Sequence, residues 1–234
     1  VPVLTEMLAD AACAAVDGPF GDFDLSDEER YELHMAAWMH DCGKVTTPES
    51  VMDKSAKLET IYDRIEAVRT RMTVLRRDAE IEYLQGVAAG GDEAELRADR
   101  DERFAKLDDD LRFLETANVG GEYMDIDKVD RVQRIGGYHW TDWNGEQKPF
   151  LDEDEAKNLT IPKGTLTPEE RKIINDHIVV TIDMLEQLPF PRHLRRVPEF
   201  AGGHHEKMDG TGYPKGLKRE EMSLPARMMA IADI

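Results

Sequence analysis

Four short stretches of this sequence hold residue types that can do chemistry together. His40 and Asp41 are adjacent at the end of an apolar-spaced helix, inside His40-Asp41-Cys42-Gly43-Lys44. His177 lies in a helical run of apolar residues, His204-His205-Glu206 precede a glycine-rich loop, and Asp233 follows the apolar run of the last helix. Imidazole nitrogen and carboxylate oxygen are the donor set of Zn, Fe and Mn sites. An adjacent His-Asp pair suits two ions at once, because a carboxylate has two oxygens to share. A carboxylate on an apolar helix is costly unless it is paired or ligated. Singly, each signal has a plainer explanation. A lone His such as His177 is more often a hydrogen-bonded core residue, a His-His doublet is often a surface accident, and Asp233 suits a helix C-cap or an ion pair. The combination points to a metal centre.

These residues must be brought together by helices. Val3, Leu4, Met7, Leu8, Ala11, Ala12 and Ala15 have helical spacing, broken by Gly18-Pro19. Ser26-Asp27-Glu28-Glu29 has the form of a capping box, with Ser26 as N-cap of a helix ending near Gly43. Leu58, Ile61, Ile65, Val68, Met72, Leu75 and Ala79 step 3-4-3-4, a heptad seam. Past the Gly86–Gly91 break, Phe104, Leu107, Leu111 and Leu114 form a second seam. Two seamed helices predict an antiparallel coiled-coil hairpin over residues 55–116, its first arm roughly 45 Å long and standing away from the bundle that holds the candidate residues. Residues 118–162 are irregular, with an Asn144-Gly145 turn signal among Tyr138, His139, Trp140 and Trp143. Thr167-Pro168-Glu169-Glu170 starts a further helix that carries His177 and ends before Pro189. A short helix over 194–206, a tight loop from Gly210 to Gly216 and a last helix over 220–234 complete the chain.

Composition sets limits. Lys and Arg total 30 against 49 Asp and Glu, a formal charge of −19. That excludes a general nucleic-acid polymer binder, which needs clustered cations for phosphate. No apolar run is long enough to span a membrane. Two cysteines, Cys13 and Cys42, make no disulfide framework, so the chain reads as cytoplasmic, the cytosolic output part of a larger sensor. Opening on Val1-Pro2 and closing on Ala232-Asp233-Ile234 in mid-helix, it reads as an excised segment. The acid excess is uneven: residues 1–50 carry 11 acids and 2 bases, whereas 160–234 carry 11 of each. An anionic ligand meets least repulsion in the last third.

His40-Asp41 followed by Gly43-Lys44 resembles the HD phosphohydrolase signature. His204-His205-Glu206-Lys207-Met208-Asp209-Gly210-Thr211-Gly212-Tyr213-Pro214 matches the H-H-E-x-x-D-G-x-G-Y-P signature of the HD-GYP subfamily at every fixed position. Ala230-Ile231-Ala232-Asp233 resembles the family's closing metal Asp, and His177 falls where the family places its mid-domain His. The resemblance covers about half the chain.

It implies an all-α, HD-type helical bundle with an inserted antiparallel coiled-coil hairpin. The catalytic domain would comprise 1–48 and 160–234, incomplete at both ends, and 49–159 would be the insertion. It implies a bacterial signalling phosphodiesterase hydrolysing cyclic di-GMP to linear pGpG and on to GMP, with two or three divalent ions, Fe or Mn. His40, Asp41, His177, His204, His205 and Asp233 would be ligands, with Asp41 bridging. Lys44 would contact the scissile phosphate, and Asp209, Gly212, Tyr213 and Pro214 would shape a substrate loop. That loop would border a cleft onto the metals, lined by Lys207, Lys215, Lys218 and Arg219. An upstream Glu and His of the family would precede Val1, and later basic residues would follow Ile234. His34, His139, His193 and Cys42 are left outside the site. The alternatives are a non-catalytic cyclic-dinucleotide receptor, an HD phosphohydrolase acting on another nucleotide, and a hairpin serving as a homodimer or partner-docking arm.

Overall fold

The computed structural model describes residues 1–234, which are all-α apart from one two-stranded hairpin. In chain order, α1 (Pro2–Cys13) and α2 (Asp27–Met39) are followed by the short α3 (Glu49–Met52), the long α4 (Ile65–Ala88) and α5 (Glu93–Val119), and α6 (Ile126–Gly136). Strands β1 (His139–Thr141) and β2 (Gln147–Pro149) precede α7 (Glu153–Leu159), α8 (Pro168–Asn175), α9 (His177–Glu186), α10 (Val197–Gly202) and α11 (Leu224–Ala232). No helix is long and apolar enough to cross a membrane. The chain divides into two compact units, one of Val1–Pro48 with Lys172–Ile234 and one of Glu49–Arg171.

The first unit is built around Leu33, Ala36, Ala37, Leu185, Val197, Phe200, Ala201, Met228 and Met229, supplied by α2, α9, α10 and α11. Helix α2 starts where its sequence says. Ser26 Oγ accepts from the Glu29 N–H and the Glu29 carboxylate accepts from the Ser26 N–H, which satisfies two otherwise orphaned donors. Cys42 packs partly buried against this core. Glu32, buried on α2, accepts from the backbone N–H and the Nε–H of Arg196, fixing the approach to α10.

The second unit has its own core, in which Val68, Met72 and Leu75 of α4 and Leu107 and Leu114 of α5 pack with Val132, Ile135, Phe150 and Leu159. Ion pairs Arg69–Glu115, Arg76–Asp108 and Arg100–Glu80 link α4 and α5 in antiparallel order. The base of this hairpin is part of the unit's core. The seam starts later than its spacing suggested. Helix α4 begins at Ile65, so its 24 residues span about 36 Å. Leu58 is buried ahead of the helix and Ile61 is 95% exposed. The cause is backbone hydrogen bonding: the Lys57 N–H donates to the Asn118 carbonyl and the Leu58 N–H to Asn118 Oδ1, which ties this stretch to the end of α5 as a turn. The fully buried Lys57 ammonium donates to the carbonyls of Leu159 and Ile161, and burial pushes its pKa down to about 8. Asn144-Gly145 does turn a hairpin, with Gly145 at φ 81° between β1 and β2.

Candidate metal centre

Three elements of the first unit present histidines in the same way. His40 is the C-cap of α2, His177 opens α9, and His204 follows the end of α10. In each, the Nδ1–H donates to the carbonyl three residues back: Ala37 at 2.8 Å, Ile174 at 2.5 Å and Ala201 at 2.6 Å. A carbonyl can only accept, so the proton of the neutral ring sits on Nδ1 and Nε2 carries a free lone pair. A backbone partner on one ring nitrogen is the usual way a ligand histidine is oriented.

The three Nε2 atoms converge on Asp41. His177 Nε2 lies 3.2 Å and His204 Nε2 3.9 Å from Asp41 Oδ1, while His40 Nε2 lies 3.2 Å from Asp41 Oδ2 and 3.5 Å from Asp233 Oδ1. His204 and His205 rings are 4.1 Å apart, and His177 and His205 rings 5.1 Å. Two ligand groups result, His177-His204-His205 and His40-Asp41-His204, each with donor atoms within 4.8 Å of one another. The Nε2 atoms of His40, His177 and His204 and Oδ1 of Asp41 are buried without a hydrogen-bond partner. Buried polar atoms are otherwise nearly always satisfied, so this set fits a cation. His40, Asp41, His177, His204, His205 and Asp233 are the residues that would hold it.

Electrostatics favours the ligand-ready forms of Asp41, His204 and His205. Burial works against ionisation of Asp41, but the close approach of His177, His40 and Lys44 holds its carboxyl well below the usual carboxylate range. Burial lowers the pKa of His204. Burial, then His204 and His177, push His205 down to about 4. Burial opposes charge on His40 too, yet the neighbouring Asp41 carboxylate outweighs it and raises the His40 pKa.

Lys44 Nζ reaches Asp41 Oδ2 at 2.7 Å and remains partly exposed. Tyr213 stacks on His205, with centroids 4.8 Å apart, and its hydroxyl donates to Asn175 Oδ1. Asp209 is turned outward, accepting from the N–H and hydroxyl of Thr211. A Cβ on Gly212 would lie 2.3 Å from the Lys207 nitrogen, so the loop crosses itself where only glycine fits. Pro214 follows a cis peptide bond. Glu206, to which the sequence reading gave no separate role, is the loop's anchor. Its buried carboxylate accepts from the N–H groups of Lys215 and Leu217. Its place in the H-H-E stretch was the available signal.

Three helix bounds differ from the sequence expectations. His177 is not mid-helix: the run breaks at Asp176 and His177 begins α9, which leaves the Ile174 carbonyl free for its ring. The helix expected over 194–206 ends at Gly202, releasing His204 and His205 into a turn, and the last helix begins at Leu224, with Ser223 as its N-cap. A groove of about 690 Å³ is bordered by Leu8, Phe20, Lys207, Met208, Arg219 and Leu224 and includes none of the six ligand candidates. His34 pairs with Glu6, and His139 and His193 are exposed, all apart from the cluster.

Residues 154–234 match the family model of the HD domain. The chain is 30% identical over 157 residues to a cyclic di-GMP phosphodiesterase of Thermotoga maritima, covering 59% of this chain and 42% of that protein. It is 38% identical over 82 residues to a probable cyclic di-GMP phosphodiesterase of Vibrio cholerae, covering 33% and 19%. It is 40% identical over 72 residues to the 3'3'-cGAMP-specific phosphodiesterase 3 of the same organism, covering 30% and 15%. The chain thus spans less than half the length of these relatives. Residues 154–234, which hold His177, His204, His205 and Asp233, are thus similar to the HD domain, and the relatives that the chain matches are named as cyclic-dinucleotide phosphodiesterases.

Proposed function

We propose that this chain is the catalytic part of a metal-dependent phosphodiesterase that hydrolyses cyclic di-GMP to linear pGpG and on to GMP. The observation that supports it most is the convergence of three Nδ1-anchored histidines with unpartnered Nε2 atoms on the Asp41 carboxylate, two of them on its unpartnered Oδ1. Two or three divalent ions, Fe or Mn, bound there would supply water activation and charge neutralisation at phosphorus.

The residues of the chain divide the remaining work. Asp41 presents Oδ1 to His177 and His204 and Oδ2 to His40 and Lys44, so one carboxylate borders both ligand groups, which share His204. Lys44, with Nζ beside that carboxylate and partly exposed, is placed to hold a phosphoryl oxygen as negative charge develops. Tyr213 braces His205 by stacking, and Glu206 holds the loop on which Tyr213 sits. In the reaction, the oxygen of water bonds to phosphorus, the P–O3′ bond breaks, and the 3′ oxygen takes up a proton. The product keeps a 5′ phosphate.

The test is incubation of the Mn-loaded or Fe-loaded protein, extended over the flanking segments, with cyclic di-GMP, followed by chromatography. Formation of pGpG, abolished by chelator, supports the reading. Retention of cyclic di-GMP without turnover by the fully loaded extended protein would favour a receptor.

A further inference from the structure

The turn that carries Asp41 and Lys44 lies directly on the first turn of α9. The buried Gly43 N–H donates to Thr181 Oγ1 at 2.9 Å. The contact is so close that a Cβ on Gly43 would fall 2.1 Å from the His177 carbonyl oxygen and 2.6 Å from the Thr181 nitrogen. Thr181 is fully buried, one helical turn after His177. Gly43 is two residues after Asp41 and one before Lys44. Its carbonyl accepts from Thr46 Oγ1, and the Lys44 N–H donates to the Asp41 carbonyl. The turn is therefore braced by its own hydrogen bonds. Its position along α9 sets the 3.2 Å approach of Asp41 Oδ1 to His177 Nε2.

We infer that Thr181 is a positioning residue for the metal centre, its hydroxyl fixing the distance between the Asp41 carboxylate and the His177 ring. This rests on the metal-centre reading. A glycine at 43 allows backbone-to-helix contact, but glycine alone leaves a buried N–H with no acceptor. The side-chain oxygen at position 181 provides it. The hydrogen bond thus specifies one register of the turn against the helix rather than a range of sliding positions. Outer-shell hydrogen bonds of this kind usually govern metal affinity by about 10- to 100-fold.

The experiment compares the full chain with Thr181→Val, which keeps the shape and removes the acceptor, and Thr181→Ser, which keeps the acceptor. Mn(II) binding is read by titration, and the Co(II)-substituted protein by its visible spectrum, which reports ligand geometry. We expect Thr181→Val to weaken Mn by about tenfold or more and to alter the Co spectrum, and Thr181→Ser to restore both. Unchanged affinity and spectrum in Thr181→Val, or equal loss in both variants, would overturn the assignment. If Thr181→Val does not fold, amide exchange of Gly43 in the unmodified chain decides. Strong protection in the metal-free protein supports the hydrogen bond, and free exchange overturns it. An unmodified chain that takes up no Mn overturns the metal-centre reading and the role of Thr181 with it, whereas normal loading with indifference to Thr181→Val removes Thr181 alone.

Discussion

His177 Nε2 and Asp41 Oδ1 face each other at 3.2 Å, both buried and neither hydrogen-bonded. Because the Nδ1–H of His177 is donated to the Ile174 carbonyl, the neutral ring aims a lone pair at a carboxylate oxygen. Two acceptors at that distance repel unless a cation lies between or beside them. The same holds for His204 Nε2, 3.9 Å from the same oxygen.

Asp41 is a member of one ligand group and its Oδ1 faces His177 and His204 of the other, so Asp41→Asn removes charge beside both while keeping volume. Mn affinity is expected to fall well over tenfold, with turnover lost alongside it, as read by metal titration and product chromatography. Full metal loading in this variant would show that Asp41 is not a ligand.

Lys44 behaves differently. Lys44→Ala removes a cation beside Asp41 Oδ2 but no metal donor atom. Turnover of cyclic di-GMP is expected to drop about 100- to 1,000-fold with Mn stoichiometry retained. A parallel loss of metal would place Lys44 in holding the centre together rather than in handling phosphate.

Acid should weaken the metal-free fold through His205. Its folded pKa of about 4 lies below the ordinary value of 6.5, so between these pH values the unfolded chain binds more protons. The stability from keeping His205 neutral is complete above about 6.5 and is lost as pH falls towards 4. The melting temperature in chelator is expected to decline over this window, and less steeply in His205→Gln. Identical slopes would remove His205 as a cause.

Glu206 is legible in stability. Glu206→Gln replaces one oxygen by an amide that cannot accept from a backbone N–H, leaving Lys215 or Leu217 unsatisfied. A loss of about 2 kcal/mol is expected by denaturant titration. A change below about 0.5 kcal/mol would mean that the loop is held by other contacts.

The distal half of the hairpin carries no buried residue between Ala79 and Leu107. Its ion pairs, such as Arg100–Glu80, are surface pairs worth little. Replacing residues 80–103 by a short glycine linker should leave Mn stoichiometry unchanged and shift the melting temperature by less than about 5 °C. Loss of metal would tie the tip to the centre.

The sequence disclosed the ligand candidates because their chemistry is written in residue type: His40, Asp41, His177, His204, His205 and Asp233 are costly to place in apolar helices without a purpose. The caps of α2 and α8 were legible for a similar reason, since Ser26-Glu29 and Thr167-Glu170 satisfy backbone donors locally. What was hidden depends on non-local partners. Leu58 and Ile61 keep the heptad spacing, yet Asn118 captures the backbone beside them. The break at Asp176 has no glycine or proline to announce it, and Thr181 reads as one more residue of an apolar helix until Gly43 is packed against it.

The metal centre is tested most directly by crystallising the Mn-soaked chain and locating Mn by its anomalous scattering. The account predicts peaks bonded to Asp41, His177 and His204, with ligand bonds a little over about 2 Å, and the three Nδ1–H bonds to Ala37, Ile174 and Ala201 unchanged. The absence of any peak at Asp41 in a crystal that binds Mn elsewhere, with the His177 ring turned away from it, would contradict the account.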